Sequence, residues 1–325
     1  MQLGRRQFLH LAAPAAAVLA VARFARGEIY PSRPVRVIVP FAPGGSTDFT
    51  ARLIAQRLSE RFGQQFVVEN RSGASTNIAT QAVIRASADG YTLLLVTPPS
   101  AINATLYKDL PFNFLRDIAP IASVLRAPYV MEINPSVPAK TVPEFIAYAK
   151  ANPGKISMAS AGVGTGPHLT GELLMMATGI NMAHVPYRGG APALNDLMAG
   201  QVQLYFASAP ETIEFIKAGK VRALAVTSAS RSEVLAGLPT LDAFVPGFEA
   251  SYWTGFGAPK NTPPEIVDSL NREINAALGD PVLQARLAAL GASVVVGSVA
   301  DFERLIAEQT EKWGKVIKFI GVKPD

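Results

Sequence analysis

The sequence predicts an α/β protein with two lobes, each a mostly parallel sheet flanked by helices, and a ligand cleft between the lobes. Between Pro34 and Val96, short β-branched runs alternate with segments of helical periodicity, as in βαβ units. The same alternation returns between residues 156 and 226. Breaks at 97–100 and 227–230, rich in proline, serine and threonine, are the points where we expect the chain to cross between lobes.

These two crossings define the predicted lobes. Lobe 1 comprises residues 28–99 and 228–325, and lobe 2 comprises residues 100–227. A chain of 325 residues is long enough for two domains, each with its own core. A hydrophobic content of 49% with 17% charged residues is typical of a folded globular chain rather than a disordered one.

Each predicted element follows from a local pattern. Apolar residues at intervals of three and four predict helices, and Thr141–Glu144 and Thr262–Glu265 match capping boxes that begin them. The predicted strands are Val35–Val39, Phe66–Glu69, Tyr91–Val96, Ile118–Leu125, Tyr129–Ile133, Ile156–Ala159, Met182–Val185, Val202–Phe206, Val221–Val226 and Trp253–Ala258. The predicted helices are Phe49–Phe62, Ile78–Ala86, Phe145–Lys150, His168–Ala177, Ala191–Ala199, Ile266–Leu278 and a last helix from Ser298 through Ile317.

The loop from Phe41 to Asp48 is the first candidate for a binding site. Gly44 and Gly45 let the backbone turn tightly and, without Cβ atoms, let a ligand approach the chain closely. The first N–H groups of the following helix have no acceptor within the helix, so they can hold a carboxylate or phosphate without a basic side chain. The alternative is an ordinary strand–helix turn with Ser46 or Asp48 as N-cap.

A second glycine-rich loop, Ser160–Pro167, also lies between a predicted strand and a predicted helix. Two loops of this kind that face each other suit a ligand with one or more carboxylates. Arg188, in a third loop between Pro186 and Gly190, is either a carboxylate ligand at the cleft edge or an exposed cation.

Composition and motifs argue against nucleic-acid binding, metal binding and catalysis. Residues 1–27 hold four arginines and no acid, which leaves 26 bases against 25 acids, too balanced for a nucleic-acid-binding face. There is no cysteine, and neither His168 nor His184 has a second histidine within helical reach. The G-x-S-x-G elbow, the phosphate-loop motif and the G-x-G-x-x-G fingerprint are all missing from the sequence. We therefore expect neither an enzyme nor a bound cofactor.

Residues 1–27 have the features of an export signal. Arg5-Arg6 is a twin-arginine type of start, and the apolar stretch Leu9–Ala22 is too short to span a bilayer comfortably. Ala25-Arg26-Gly27 places small residues where a signal peptidase reads them, so Glu28 is the expected start of a periplasmic mature protein. An uncleaved membrane anchor is the alternative, and the twin-arginine and general export routes both stay open.

Several separate motifs, in order, resemble the substrate-binding proteins of tripartite tricarboxylate transporters, known as the Bug family. The similarity runs from about Tyr30 to the C-terminus. The motifs are Tyr30–Pro34, Pro40–Asp48, Asp89–Leu94, Ser160–Thr165, His184–Gly189 and Lys217–Thr227.

The resemblance implies a periplasmic binding protein type II fold that closes on its ligand and presents it to the permease subunits of a membrane transporter. It implies a monomer and a small carboxylate ligand, which is a di- or tricarboxylate, an acidic amino acid or an aromatic acid. The residues that it implies in binding are Phe41, Gly45, Ser46, Thr47, Asp48, Ala161, Gly162, Gly164 and Thr165. We expect Asp48 to position the loop or a water, because its charge disfavours direct contact with an anion.

Some positions depart from the family pattern. Ser75 and Thr76 stand where glycines are usual, and Phe206–Ser208 lacks an aspartate that often follows the phenylalanine. We expect Ser75, Thr76 and Ser208 to shape a different distal pocket, so the resemblance does not identify the carboxylate. A ligand-binding module that signals to a membrane partner without transport is the alternative function.

Overall fold

The computed structural model describes residues 30–107, 109–229 and 231–321. The predicted export signal and Ser230, in the second predicted crossing, lie outside these residues. The strands are β1 (Val35–Val39), β2 (Phe66–Asn70), β3 (Thr92–Val96), β4 (Ile118–Ile133), β5 (Ser157–Ser160), β6 (Ala183–Pro186), β7 (Leu204–Ser208), β8 (Arg222–Val226), β9 (Ser251–Pro259) and β10 (Ser293–Val294). The helices are α1 (Ser46–Phe62), α2 (Asn77–Ile84), α3 (Pro98–Leu106), α4 (Phe114–Asp117), α5 (Val142–Ala151), α6 (Gly166–Thr178), α7 (Gly190–Met198), α8 (Ala209–Lys217), α9 (Pro264–Leu278), α10 (Pro281–Ala289) and α11 (Val299–Ile320).

The strands form one continuous mixed sheet in the order β2-β1-β3-β9-β4-β7-β5-β6, with β8 and β10 also paired to β4. The outer strands are parallel, since β1 pairs with β2 and β3, and β5 pairs with β6 and β7. The pairs around β9 and β4 are antiparallel. The predicted two-lobed α/β fold is therefore confirmed, with antiparallel pairing at the centre that hydrophobic periodicity does not encode.

One strand runs through both halves of this sheet. The sequence predicts two separate strands between Ile118 and Ile133, but the structure has the single 16-residue strand β4. Residues as far as Pro128 pair with β9 in the first half, and residues from Tyr129 pair with β7 and β8 in the second. The change of partner lies later than the predicted crossing at 97–100, where the chain instead begins α3.

The hydrophobic core is shared by the two halves of the sheet. Val37 on β1, Leu58 on α1 and Phe206 on β7 all belong to one cluster of buried side chains. Burying one such side chain contributes about 1.5–3 kcal/mol. The main buried cluster therefore continues across β4 and includes residues of both predicted lobes.

Several predicted helix starts are corrected. Helix α1 begins at Ser46 with Gly45 as N-cap and no side-chain cap, so neither Ser46 nor Asp48 is the N-cap. Thr141 caps α5, as predicted, by accepting from the Glu144 N–H at 3.3 Å. The capping box predicted at Thr262 is wrong, because its hydroxyl donates to the Pro259 carbonyl at 2.7 Å and α9 begins at Pro264.

Other differences concern element positions. Helices α8 and α10 were not predicted, and the strand predicted over Val202–Phe206 lies two residues later, over Leu204–Ser208. Among the described residues, no helix combines the length and the hydropathy needed to cross a bilayer.

Candidate functional site

Within the described chain, five helices begin at one pocket between the two halves of the sheet. These are α1, α3, α6, α7 and α8. The residues that line this central pocket are Phe41, Gly45, Ser46, Thr47, Thr97, Pro98, Pro99, Tyr129, Ala161, Thr165, Gly166, Pro167, Gly190, Tyr205, Ser208, Glu211 and Tyr252. The cavity is narrow, about 40 Å³, which is room for about three waters. Each helix N-terminus contributes partial positive charge, so the pocket favours an anion.

The loop between β1 and α1 presents backbone donors to the central pocket. Gly44 has a φ of +91°, a left-handed conformation that glycine adopts without strain. The first intrahelical bond of α1 runs from the Phe49 N–H to the Gly45 carbonyl at 3.0 Å. The N–H groups of Ser46, Thr47 and Asp48 therefore have no acceptor within the helix. Phe41, Gly45, Ser46 and Thr47, all predicted site residues, line the pocket here.

Asp48 holds this loop in place and does not line the pocket. Its carboxylate accepts hydrogen bonds from the Gly44 N–H at 3.1 Å, Arg52 Nε at 2.9 Å and Asn70 Nδ2 at 3.0 Å. Asn70 also donates to the Phe41 carbonyl at 2.9 Å. Burial alone would raise the pKa of Asp48, but hydrogen bonds from Arg52, Gly44 and Asn70 outweigh it and keep that pKa below its usual value.

The loop between β5 and α6 places Ala161 and Thr165 in the central pocket, whereas Gly162 and Gly164 shape the loop behind them. Thr165 Oγ1 donates to the Gly162 carbonyl at 2.6 Å. The Gly164 N–H donates to His168 Nδ1 at 3.0 Å, so it points away from a ligand. Of the four residues predicted in this loop, two line the pocket.

Contacts between the loops hold the two sides of the pocket together. The Ala42 N–H donates to the Arg188 carbonyl at 3.0 Å, and the Ser208 hydroxyl donates to Ser46 Oγ at 2.8 Å. Ser75 Oγ donates to the Val163 carbonyl. The Arg188 side chain is exposed and does not line the pocket, and neither Ser75 nor Thr76 lines it, so of the three departures from the family pattern only Ser208 does.

Three tyrosines form an inner wall that the sequence did not predict. Tyr129 and Tyr252 pack edge to face with ring centroids 6.3 Å apart, and the Tyr252 hydroxyl lies 3.3 Å from Thr47 Oγ1. Tyr205 donates to Glu211 Oε2 at 3.2 Å. Burial raises the pKa of Tyr252 to about 12 and those of Tyr129 and Tyr205 well above their ordinary value, so all three remain neutral hydroxyl groups.

Two carboxyl groups lie beneath this wall. Glu211 lines the pocket, and burial raises its pKa to about 7, although hydrogen bonds from Tyr205 and from the backbone of Ser208 act in the opposite direction. Glu132 is fully buried and accepts from the Thr212 hydroxyl. Burial raises the pKa of Glu132 well above its usual range, against the effect of that bond, and nearby Glu211 raises it further. None of the described lining residues is a lysine, arginine or histidine.

The two histidines of the second lobe stack on each other behind the pocket. Their ring centroids are 3.8 Å apart, and His184 Nε2 lies 2.6 Å from Ser160 Oγ. Burial, and to a smaller extent the neighbouring His168, lowers the pKa of His184 to about 3. His168 is buried and does not line the pocket. Both rings therefore support the second loop rather than meeting a ligand.

The missed site residues had weak sequence signals. Tyr129, Tyr205 and Tyr252 lie inside strands, where an aromatic residue ordinarily indicates core packing. Glu211 follows Ala209-Pro210, and a proline in the first helical turn with an acid close behind is a helix-start signal that could have located α8.

The chain is similar to known proteins over most of its length. A family model described as tripartite tricarboxylate transporter family receptor matches residues 50–322. Protein BugT of Bordetella pertussis is 38% identical over 299 residues, which cover 91% of this chain and 92% of BugT. A solved structure of Rhodopseudomonas palustris Rpa4515 with adipate is 40% identical, with a TM-score of 0.88 over 91% of this chain and 100% of that one.

A second solved structure is MatC from Rhodopseudomonas palustris with bound malate. It is 31% identical, with a TM-score of 0.85 over 89% of this chain and 100% of that one. The family match spans most of the chain, and the relatives align over nearly their full length. The chain therefore belongs to the tripartite tricarboxylate transporter receptor family and is a periplasmic solute-binding protein of its Bug group.

Proposed function

We propose that this protein binds a small carboxylate in the central pocket and delivers it to the permease subunits of a tripartite tricarboxylate transporter. The observation that carries the proposal is the convergence of five helix N-termini on a pocket whose described lining residues include no basic side chain. Backbone N–H groups and hydroxyls then provide the donors that a carboxylate requires. The adipate and malate bound to two relatives support this ligand class.

The protein acts as a carrier rather than an enzyme in this proposal. The two serines that line the pocket, Ser46 and Ser208, bond to each other at 2.8 Å and not to a histidine base. A nucleophilic mechanism needs a serine activated by a base within hydrogen-bond reach. We further propose that the chain is exported, cleaved near Gly27 and monomeric in the periplasm.

A thermal-shift screen of mono-, di- and tricarboxylates tests ligand binding. An acid present at 100 times its Kd adds about 2.7 kcal/mol to the free energy of unfolding, which raises Tm by several degrees in a chain of this size. No stabilisation by any acid in the screen would contradict the proposal.

Gly45→Val tests whether the first loop holds the ligand. A Cβ at Gly45 would lie 3.4 Å from Glu211 Oε1 and 3.7 Å from the Ala191 backbone nitrogen, so the valine methyl groups enter the space of the anion. We expect at least a tenfold loss of affinity with little loss of stability. Gly237→Val is the matched control, because a Cβ there meets nothing within 4 Å.

Deletion of the chain tests its role in transport. We expect uptake of the carboxylate identified in the screen to fall in the deletion strain and to return with the plasmid-borne wild type. Uptake that persists while a transcriptional response to the acid disappears would instead establish the signalling function.

A further inference from the structure

Glu211 is the one carboxyl group among the described residues that line the central pocket. Its Oε2 accepts from the Tyr205 hydroxyl at 3.2 Å, and the backbone of Ser208 also interacts with the carboxyl group. Its Oε1 is buried without a hydrogen-bond partner in the described structure. A methyl group at Gly45 would lie 3.4 Å from Oε1, and one at Gly190 would overlap the carboxyl group. The absent Cβ atoms therefore leave Oε1 facing the starts of α1 and α7.

The surroundings of Glu211 provide acids and hydroxyls but no interior cation. The titratable and charged groups around it, element by element, are Tyr205 on β7, Tyr129 and Glu132 on β4, Tyr252 on β9, Arg188 in the loop before α7, and Glu214 and Lys217 on α8. Arg188 is exposed and lies off the pocket. Lys217 and Glu214 pair with each other at 2.9 Å on the exposed face of α8. An ionised Glu211 would therefore lack a cationic side-chain partner among the described residues, and it would compete with the ligand for the partial positive charge of the helix N-termini.

The protonation state of Glu211 determines whether its unpartnered oxygen, Oε1, can form a hydrogen bond with a ligand carboxylate. An ionised carboxylate would leave Oε1 buried and unpaired and would repel the carboxylate of a ligand. A protonated carboxyl group instead has an O–H that needs an acceptor, and a ligand carboxylate provides one. Hydrogen bonds of the O–H···O⁻ type are short and about twice as strong as neutral ones.

We infer that Glu211 donates a hydrogen bond from its protonated carboxyl group to the ligand carboxylate in the central pocket, so that ligand binding takes up a proton. The inference rests on the proposed function, since it specifies the chemistry of ligand recognition at that same site. The proton comes from solvent and stays on Glu211, and no covalent bond of the ligand changes. The raised pKa of Glu211, about 7, is consistent with protonation just below neutral pH.

Isothermal titration calorimetry with adipate and with malate tests this inference. Titrations at pH 6.5 and pH 8.5 give the pH dependence of Kd. Titrations at pH 8.5 in triethanolamine and in Tris, two cationic buffers whose ionisation heats differ, give the number of protons taken up. For a pKa of about 7 in the free protein, linkage predicts binding about 20-fold weaker at pH 8.5 and uptake of close to one proton.

Two variants on the same helix sharpen the test. Glu211→Gln keeps the size of the side chain but cannot titrate, so it should lose several-fold affinity at pH 6.5 and weaken no further toward pH 8.5. Glu214→Gln, which removes an exposed acid on α8, should keep the wild-type pH dependence. The wild-type titrations decide the matter by themselves if Glu211→Gln does not fold.

The outcomes separate this inference from the proposed function. Tight binding that is equal at both pH values, with equal heats in both buffers, would overturn the role of Glu211 and leave carboxylate binding intact. Affinity that rises with pH would also overturn it, since the complex would then form with release of a proton rather than with uptake of one. Failure of adipate, malate and every other acid in the screen to bind would overturn both.

Discussion

Ser208 donates its hydroxyl hydrogen to Ser46 across the central pocket, with 2.8 Å between the two oxygens. Ser46 lies in the first turn of α1, and Ser208 immediately precedes α8. Both side chains are buried. This hydrogen bond therefore joins the two sides of the pocket and stabilises only the arrangement in which they are close.

Replacing Ser208 with alanine should weaken carboxylate binding about fivefold. The reason is the loss of one buried hydrogen bond, worth about 1 kcal/mol, from the closed arrangement. Calorimetry of Ser46→Ala, Ser208→Ala and the double variant measures this, and the double variant should lose little more than either single one. Ser87→Ala, at an exposed position between α2 and β3, is the control. Fully additive losses would show that the two hydroxyls act independently.

Gly190→Ala should reduce carboxylate affinity more than tenfold. The new methyl group would overlap the Glu211 carboxyl, which has to leave its position in the pocket. Because the displaced atoms are the end of a side chain, the fold should survive, and circular dichroism checks this. Gly237→Ala, in open surroundings, is the matched control. Equal Kd values for the two variants would contradict a role for the Glu211 position.

Asp48→Ala should destabilise the protein by about 2–3 kcal/mol at pH 7, because the Gly44 N–H and the Asn70 amide lose a buried acceptor. The pKa of Asp48 lies below its usual value, so its contribution is present above about pH 4 and is lost as the pH falls through the folded-state pKa. Urea unfolding at pH 7 and pH 3 measures both effects. Asp268→Ala, at an exposed position on α9, is the control and should change the free energy of unfolding little at either pH.

Glu211→Gln should change the pH dependence of stability in the absence of ligand. The folded-state pKa of Glu211 is about 7, above the value near 4.3 of an unfolded chain. Its stabilisation is therefore complete below about pH 4 and is lost as the pH rises through about 7, up to about 4 kcal/mol in all. Relative to wild type, Glu211→Gln should thus be more stable at pH 8.5 than at pH 5 by about 3 kcal/mol, the part of that loss that falls between these two pH values. A constant difference at both pH values, in guanidinium unfolding, would contradict the raised pKa.

The glycine-rich starts of α1, α6 and α7 could be located from sequence because their signal is local. A short strand, a turn that needs glycine and the following helical period all lie within 15 residues, as around Gly44 and Gly164. Phe41, Ser46, Ala161 and Ser208, which are all predicted site residues, line the same pocket. Their contact with a ligand stays a prediction.

The remainder of the site depends on long-range pairing, which a single sequence does not display. Tyr129 and Tyr252 meet because β4 and β9 are neighbours in an antiparallel sheet, although they are separated by more than a hundred residues. Arg188 contacts the other lobe through its backbone, because its carbonyl accepts from the Ala42 N–H, and its side chain is exposed and does not line the pocket. The predicted capping box at Thr262 fails because α9 begins at Pro264 with Pro263 as its N-cap, so Thr262 is not at the capping position.

The unbroken course of β4 has a mechanical consequence. Its partner changes at Pro128–Tyr129, and there Thr227 bridges the Tyr129 backbone and the Ala250 carbonyl through hydrogen bonds of 2.8–3.1 Å. Because β4 belongs to both halves of the sheet, a rotation of one lobe relative to the other has to twist this strand. We expect such a joint to limit the two lobes to a small opening angle, which would fit the proposed release of a ligand to a transporter.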